Sequence, residues 1–233
     1  MASTLPLVLV PGLLCSARVY LPQIASLWPL GPVTVADHRH DDSMAAIAAR
    51  ILADAPPRFA LAGLSMGGYI AFAMMRQSPQ RIAKLALLDT SARPDMPEQA
   101  AEREKFIAMT EAGQFADVAA VLTLRYLHRN RHNDETLKGI VRDMAAENGT
   151  ETFVRHLRAI MSRPDSRPLL AAIRCPTLVL VGDGDELLPP ELAKEIAAGI
   201  TSARLVIVPD CGHLCTLEKP EPVNAALAEW LET

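Results

Sequence analysis

No run in this 233-residue sequence approaches the roughly 20 consecutive apolar residues that a membrane-spanning helix requires. The opening Met1-Ala2-Ser3-Thr4 lacks the positive region of a signal peptide, so the expected location is cytoplasmic. Basic charge is not in excess either. With 23 Lys and Arg against 27 Asp and Glu, the net charge is -4, which removes the electrostatic basis for partners such as nucleic acid or an anionic membrane. Cysteine is sparse, and Cys15, Cys175, Cys211 and Cys215 form no C-x-x-C pair. They read as small apolar side chains rather than a redox or metal set. What remains is an ordinary globular balance, half hydrophobic and 21% charged, in a length suited to one α/β domain.

Short apolar runs rich in Val, Ile, Leu and Ala recur at 5–10, 33–36, 59–62, 85–88, 177–181 and 205–208. Such runs are what a strand buried on both faces requires, and six are expected. Helical spacing occupies 43–54, 66–77, 190–200 and 222–231 between and after them. Alternating strands and helices predict a doubly wound α/β fold with a mostly parallel sheet. From Pro94 to Arg167 the rhythm breaks. That interval holds four stretches of helical spacing, 97–111, 115–128, 134–146 and 151–161, divided at Gly113, at Arg129–Asn133 and at Asn148-Gly149. The expected organisation is therefore a core of 1–93 and 168–233 with a helical cap or lid inserted at 94–167.

Gly63-Leu64-Ser65-Met66-Gly67-Gly68 follows the third apolar run and precedes an apolar helical stretch. Between a buried strand and a helix, a serine held on a tight turn projects its hydroxyl above the sheet, and the flanking glycines make room for the turn. A serine hydroxyl needs a base to take its proton and a third group to hold that base. His213, in Asp210-Cys211-Gly212-His213, lies in the loop after the last apolar run and is the candidate base. For the acid, the loop Gly182-Asp183-Gly184-Asp185-Glu186 offers Asp183 and Asp185, and Asp89 after the fourth run could reach the same space. Spacing alone does not separate them.

With these motifs placed, the chain resembles the α/β-hydrolase fold family over nearly its whole length. The elbow Gly63–Gly68, the acid loop Gly182-x-x-Asp185-x-x-x-Pro189 and the histidine loop Gly212-His213 carry the likeness, clearest to small carboxylesterases and enol-lactone hydrolases. The resemblance selects Asp185 as the acid and implies backbone N–H groups of Leu13 and Met66 as the oxyanion hole. Leu14, Leu187 and Leu214 are expected to line the substrate pocket. Many relatives carry His-Gly where this chain has Pro11-Gly12, and only about ten residues precede Gly12, so the sheet should lack the family's first two strands, with the second strand in sequence at one edge.

The resemblance implies a serine hydrolase of small, fairly apolar esters, thioesters or lactones, with no cofactor and no metal, acting as a monomer or small homo-oligomer on a small-molecule substrate. The same residues would serve perhydrolysis, C–C bond hydrolysis or acyl transfer. Outside the enzyme class, the alternative is a ligand-binding protein that keeps the fold without turnover. Three other features read as structural. Asp37-His38-Arg39-His40-Asp41-Asp42 is expected to be a solvated turn rather than a metal site. Arg125, Arg129 and Arg131 read as a polar helix face more readily than as a site for an anion. Met74, Met75, Met109, Met144 and Met161 fall at apolar helical positions.

Overall fold

Each of the six apolar runs becomes a strand. In the computed structural model, which describes residues 5–233, they are β1 (Leu7–Val10), β2 (Val33–Val35), β3 (Phe59–Leu64), β4 (Ile82–Leu88), β5 (Thr177–Gly182) and β6 (Ala203–Val208). The Met1–Thr4 stretch lies outside the described residues. Every pairing is parallel, in the order β2-β1-β3-β4-β5-β6, with the second strand at one edge as expected. All residues of β1, β3 and β5 are buried. Helices on both faces leave no polar side for these strands, so their sequences run apolar without alternation. A side chain such as Leu61, fully enclosed here, contributes about 2 kcal/mol through its burial alone.

The helices are α1 (Leu21–Leu27), α2 (Met44–Asp54), α3 (Met66–Gln77), α4 (Pro97–Glu111), α5 (Phe115–Tyr126), α6 (Glu135–Met161), α7 (Arg167–Leu170), α8 (Pro190–Gly199), α9 (Cys215–Glu218) and α10 (Pro220–Glu232). Ser43 starts α2 by accepting the N–H of Ala46 on its hydroxyl, as a helix cap should. No described helix is long and apolar enough to cross a membrane.

Between β4 and β5 there is no strand, and α4, α5 and α6 pack on one another. The two helices that the sequence predicts over 134–161 follow one another within α6 and are separated only by non-helical backbone at Gly149 (φ 73°, ψ 174°). That positive φ suits glycine, and the expected division at Asn148-Gly149 survives as a kink. Asn148 ties the kink to the loop after β1 by donating from its amide to the carbonyl of Cys15.

Parallel strands put all their carboxyl ends on one edge. There the loops after β1, β3, β4, β5 and β6 converge, and the sheet order reverses direction between β1 and β3. The crevice at such a reversal is where open α/β sheets bind ligands.

Candidate active site

Ser65 sits at the turn from β3 into α3 with φ 54° and ψ -114°, a conformation that side chains other than glycine rarely adopt. Three hydrogen bonds hold it there. Its N–H donates to the Leu88 carbonyl at 2.9 Å, and its carbonyl accepts from the Thr90 hydroxyl at 2.7 Å and the Gly68 N–H at 2.9 Å. The glycines are required by close approach: a Cβ on Gly63 would lie 2.3 Å from the Gly67 carbonyl oxygen, and one on Gly67 would lie 2.1 Å from that of Val10. The turn therefore leaves the hydroxyl of Ser65 projecting from a backbone that cannot relax.

His213 arrives from the loop after β6. Its Nε2 lies 2.8 Å from Ser65 Oγ, and its Nδ1 lies 2.7 Å from Asp185 Oδ2. Because an ionised carboxylate only accepts, Nδ1 carries the proton and Nε2 of the neutral ring is free to accept from the serine. The imidazole and the Asp185 carboxylate are almost wholly buried, at 1% and 0% side-chain exposure. Burial opposes protonation of His213, but the charge of Asp185 and its hydrogen bond outweigh that and carry the pKa above the usual imidazole value.

The three competing carboxylates have different places. Asp185 turns inward, with Oδ1 accepting the N–H groups of Leu187 and Leu188 at 2.9 Å each while Oδ2 takes His213. Asp183 is exposed and accepts the Cys211 N–H. Asp89 is fully buried at the end of β4, where one oxygen accepts the Gly182 N–H and the other has no partner. Burial, reinforced by the charge of Asp185, raises its pKa. Asp89 thus pins the start of the acid loop and does not touch His213.

The N–H groups of Leu13 and Met66 donate to no acceptor among the described residues. Met66 begins α3, where its N–H has no intrahelical acceptor, and the positive dipole end of the helix faces Ser65. The Leu13 loop is fixed from behind. His38 places Nε2 at 3.1 Å from the Gly12 carbonyl, and burial lowers its pKa to about 4, which keeps it neutral and able to donate. The expectation of a solvated turn fails at this residue: Asp37, Arg39 and Asp41 form exposed ion pairs, whereas His38 turns into the protein and stacks 4.6 Å from His156.

A cavity of about 640 Å³, counted out to its open mouth, lies over Ser65. Leu13, Met66 and Tyr69 line its floor, Leu187 and Leu188 one side. Its roof comes from the helices between β4 and β5: Gln99, Glu102, Arg103 and Phe106 of α4, Leu122, Arg125 and Tyr126 of α5, and Leu157 and Ile160 of α6. Of the three expected pocket residues, only Leu187 lines the space. Leu14, at φ 58°, and Leu214 are buried in the core behind it, because their loops turn these side chains away from the cavity. Arg125 also departs from expectation by lining the cavity, paired with Glu102, while Arg129 and Arg131 do not.

Two contributors gave no motif in the sequence. Tyr126 donates from its hydroxyl to the Leu13 carbonyl, and its own carbonyl accepts the N–H groups of His213 and Leu214 at 3.1 Å, so one residue of α5 ties the Leu13 loop to the histidine loop. Glu218 accepts the N–H groups of Gly212 and His128 on its two oxygens, bracing the histidine loop from the far side. The roof residues had a signal that could have been used: Gln99, Glu102, Arg103 and Phe106 fall on one helical stripe at i, i+3, i+4 and i+7.

Comparison with known proteins agrees with this architecture. A thermophilic esterase from Thermogutta terrifontis, solved with malate bound, superposes with a TM-score of 0.88 at 32% identity over 99% of this chain and 90% of its own. The enol-lactonase of Burkholderia xenovorans LB400 shares the fold with a TM-score of 0.90 at 23% identity, over 100% of this chain and 93% of its own. A pimeloyl-[acyl-carrier protein] methyl ester esterase of Neisseria meningitidis is 27% identical over 227 residues, covering 91% of this chain and 86% of that protein. Residues 6–226 match the family model described as the alpha/beta hydrolase family, and the chain belongs to that family.

Proposed function

We propose that the protein is a serine hydrolase that cleaves a small, fairly apolar carboxylic ester, thioester or lactone through an acyl-enzyme on Ser65. The observation that carries this reading is the continuous chain from Ser65 Oγ through His213, at 2.8 Å, to Asp185, at 2.7 Å. His213 takes the serine proton as Oγ attacks the carbonyl carbon, and Asp185 stabilises the imidazolium that forms. The carbonyl oxygen becomes an oxyanion held by the N–H groups of Leu13 and Met66, each worth about 10²–10³ in rate. His213 then protonates the leaving oxygen or sulfur, and the acyl group stays on Ser65. In the second half His213 deprotonates a water that attacks the acyl carbon, releasing the acid and restoring the serine.

On this reading the helices α4, α5 and α6 act as a cap that sets which acyl and alcohol groups enter, and the partner is a small molecule. The esterase relatives support the reaction class without naming this chain's substrate. The test is Ser65→Ala with 4-nitrophenyl acetate. The variant keeps its fold by circular dichroism and loses about a thousandfold or more of activity. Undiminished turnover would remove Ser65 from the mechanism.

A further inference from the structure

The roof of the cavity carries one more positive charge than negative. Asp95 is a buried carboxylate with 3% side-chain exposure, and two guanidiniums share it. Arg163 reaches Oδ1 at 2.8 Å, and Arg103 reaches Oδ2 through Nε at 2.7 Å and Oδ1 through Nη2 at 3.3 Å. Arg163 is spent structurally, donating also to the Arg93 and Ile160 carbonyls and lying 4.2 Å over the ring of Tyr69. Arg103 is not. It lines the cavity with 20% of its side chain exposed, and its Nη1 bonds to no group among the described residues. The other charges of the roof cancel: Arg125 and Glu102 form a two-bonded pair at 2.7 and 2.8 Å, both about 40% exposed toward the mouth. Two acids, Asp95 and Glu102, thus face three arginines, and one positive charge is left over.

A second donor converges on the same space. Tyr69 lines the cavity, its hydroxyl bonds to no group of the chain among the described residues, and burial raises its pKa so that it stays protonated. Arg103 and Tyr69, each with a donor unused within the chain, line a cavity whose other roof residues are the apolar Phe106, Leu122, Leu157 and Ile160 together with Gln99, Tyr126 and the self-neutralised Glu102–Arg125 pair. Arg103 shares the single negative charge of Asp95 with Arg163, and a carboxylate in charge-assisted hydrogen bonds to Arg and Tyr would balance the charge left over.

We propose that Arg103 and Tyr69 select substrates that carry a carboxylate remote from the scissile bond, so that the physiological substrate is a half-ester, thioester or lactone of a dicarboxylic acid. The proposal rests on the serine-hydrolase reading for the reaction and on Arg103 and Tyr69 for the specificity. Arg103 and Tyr69 touch the remote carboxylate and take no part in bond breaking.

Binding without turnover separates the two. In the Ser65→Ala background, isothermal titration calorimetry compares monomethyl esters of succinate, glutarate, adipate and pimelate with their dimethyl esters. For at least one chain length the monoanion binds about tenfold or more tightly than its uncharged partner, the size expected for hydrogen bonds to a charged group. Adding Arg103→Met brings the ratio below about threefold, Arg103→Lys retains part of it, and Arg129→Gln, outside the cavity, leaves it intact. Because Arg103→Met leaves Asp95 with a single partner, Tyr69→Phe provides an independent reading: it removes only the hydroxyl and lowers the ratio by severalfold. Dimethyl esters that bind equally well at every length, or a monoanion preference that survives both Arg103→Met and Tyr69→Phe, would overturn the proposal. Failure of the serine reading looks different, since it leaves the binding preference in place while the wild type turns over neither mono-4-nitrophenyl adipate nor its methyl-capped analogue.

Discussion

Replacing Asp185 by Asn should nearly abolish turnover while leaving the protein folded, and the local geometry says why. Oδ1 of Asp185 accepts two backbone N–H groups, from Leu187 and Leu188, at 2.9 Å each. An asparagine there must keep its amide oxygen at that end. Flipping it would strand two N–H donors, one of them on the buried Leu188, at a cost of about 2–3 kcal/mol or more. The amide NH₂ then faces Nδ1 of His213, which has to become an acceptor, so the ring proton moves to Nε2. That nitrogen now donates toward Ser65 instead of accepting from it, and the negative charge that steadies the imidazolium is gone. In a serine protease the equivalent loss is about 10⁴-fold in kcat, or about 5 kcal/mol of transition-state stabilisation. The assay is kcat/KM on 4-nitrophenyl acetate for Asp185→Asn and Asp183→Asn, with circular dichroism and thermal melts for both. Asp183 is exposed and holds only the Cys211 N–H, so its variant stays within about threefold of wild type. An Asp185→Asn enzyme within tenfold of wild type would refute the argument, as would an equal fall in Asp183→Asn.

Two other outcomes follow from the same geometry. The base must be neutral to accept the serine proton, and the pKa of His213 is raised, so kcat/KM climbs with pH and reaches half its plateau above the ordinary imidazole value of about 6.5; a midpoint well below 6 in a pH–rate profile would contradict this. In Gly67→Ala the new Cβ meets the Val10 carbonyl oxygen at 2.1 Å, so the end of β1 must retreat by about 1 Å and carry Leu13 with it. That costs about 1–3 kcal/mol of stability and about a hundredfold in rate, and a variant that matches wild type in melting and in turnover would show that the loop is not held as described.

The strands were legible because burial on both faces leaves an unbroken apolar run that few other structures produce. Their ends were less so. β4 begins at Ile82, three residues before the apolar run suggests, and includes Lys84, whose ammonium reaches past the sheet to the carbonyls of Trp230 and Leu231. The short α1, with Pro22 in its first turn, offers too few residues for helical spacing to register. Within the site, Ser65 and His213 could be found from local pattern, since a strand-to-helix turn and a glycine-bearing loop are local events. The choice among Asp183, Asp185 and Asp89 needed resemblance, because it depends on which way a loop turns. The pocket was the least readable part. Leu14 and Leu214 are neighbours in sequence of site residues and point elsewhere, whereas Tyr126 comes from a helix whose inward face is set only when α4, α5 and α6 pack together.

The crowding around Gly63, Gly67 and Gly182 has a consequence for the gene. A Cβ at any of these positions would sit within 2.3 Å of a backbone oxygen belonging to another part of the elbow, to β1 or to the histidine loop. Every amino acid reachable from a glycine codon by one base change carries a Cβ. Single-step mutation therefore offers these codons only silent changes or damaging ones, whereas roof residues such as Phe106 and Leu122, whose side chains make no hydrogen bond to the loops around Ser65, can drift one base at a time. New substrate preferences in this lineage should accordingly arise by point changes in the helices, with the glycine framework inherited unchanged.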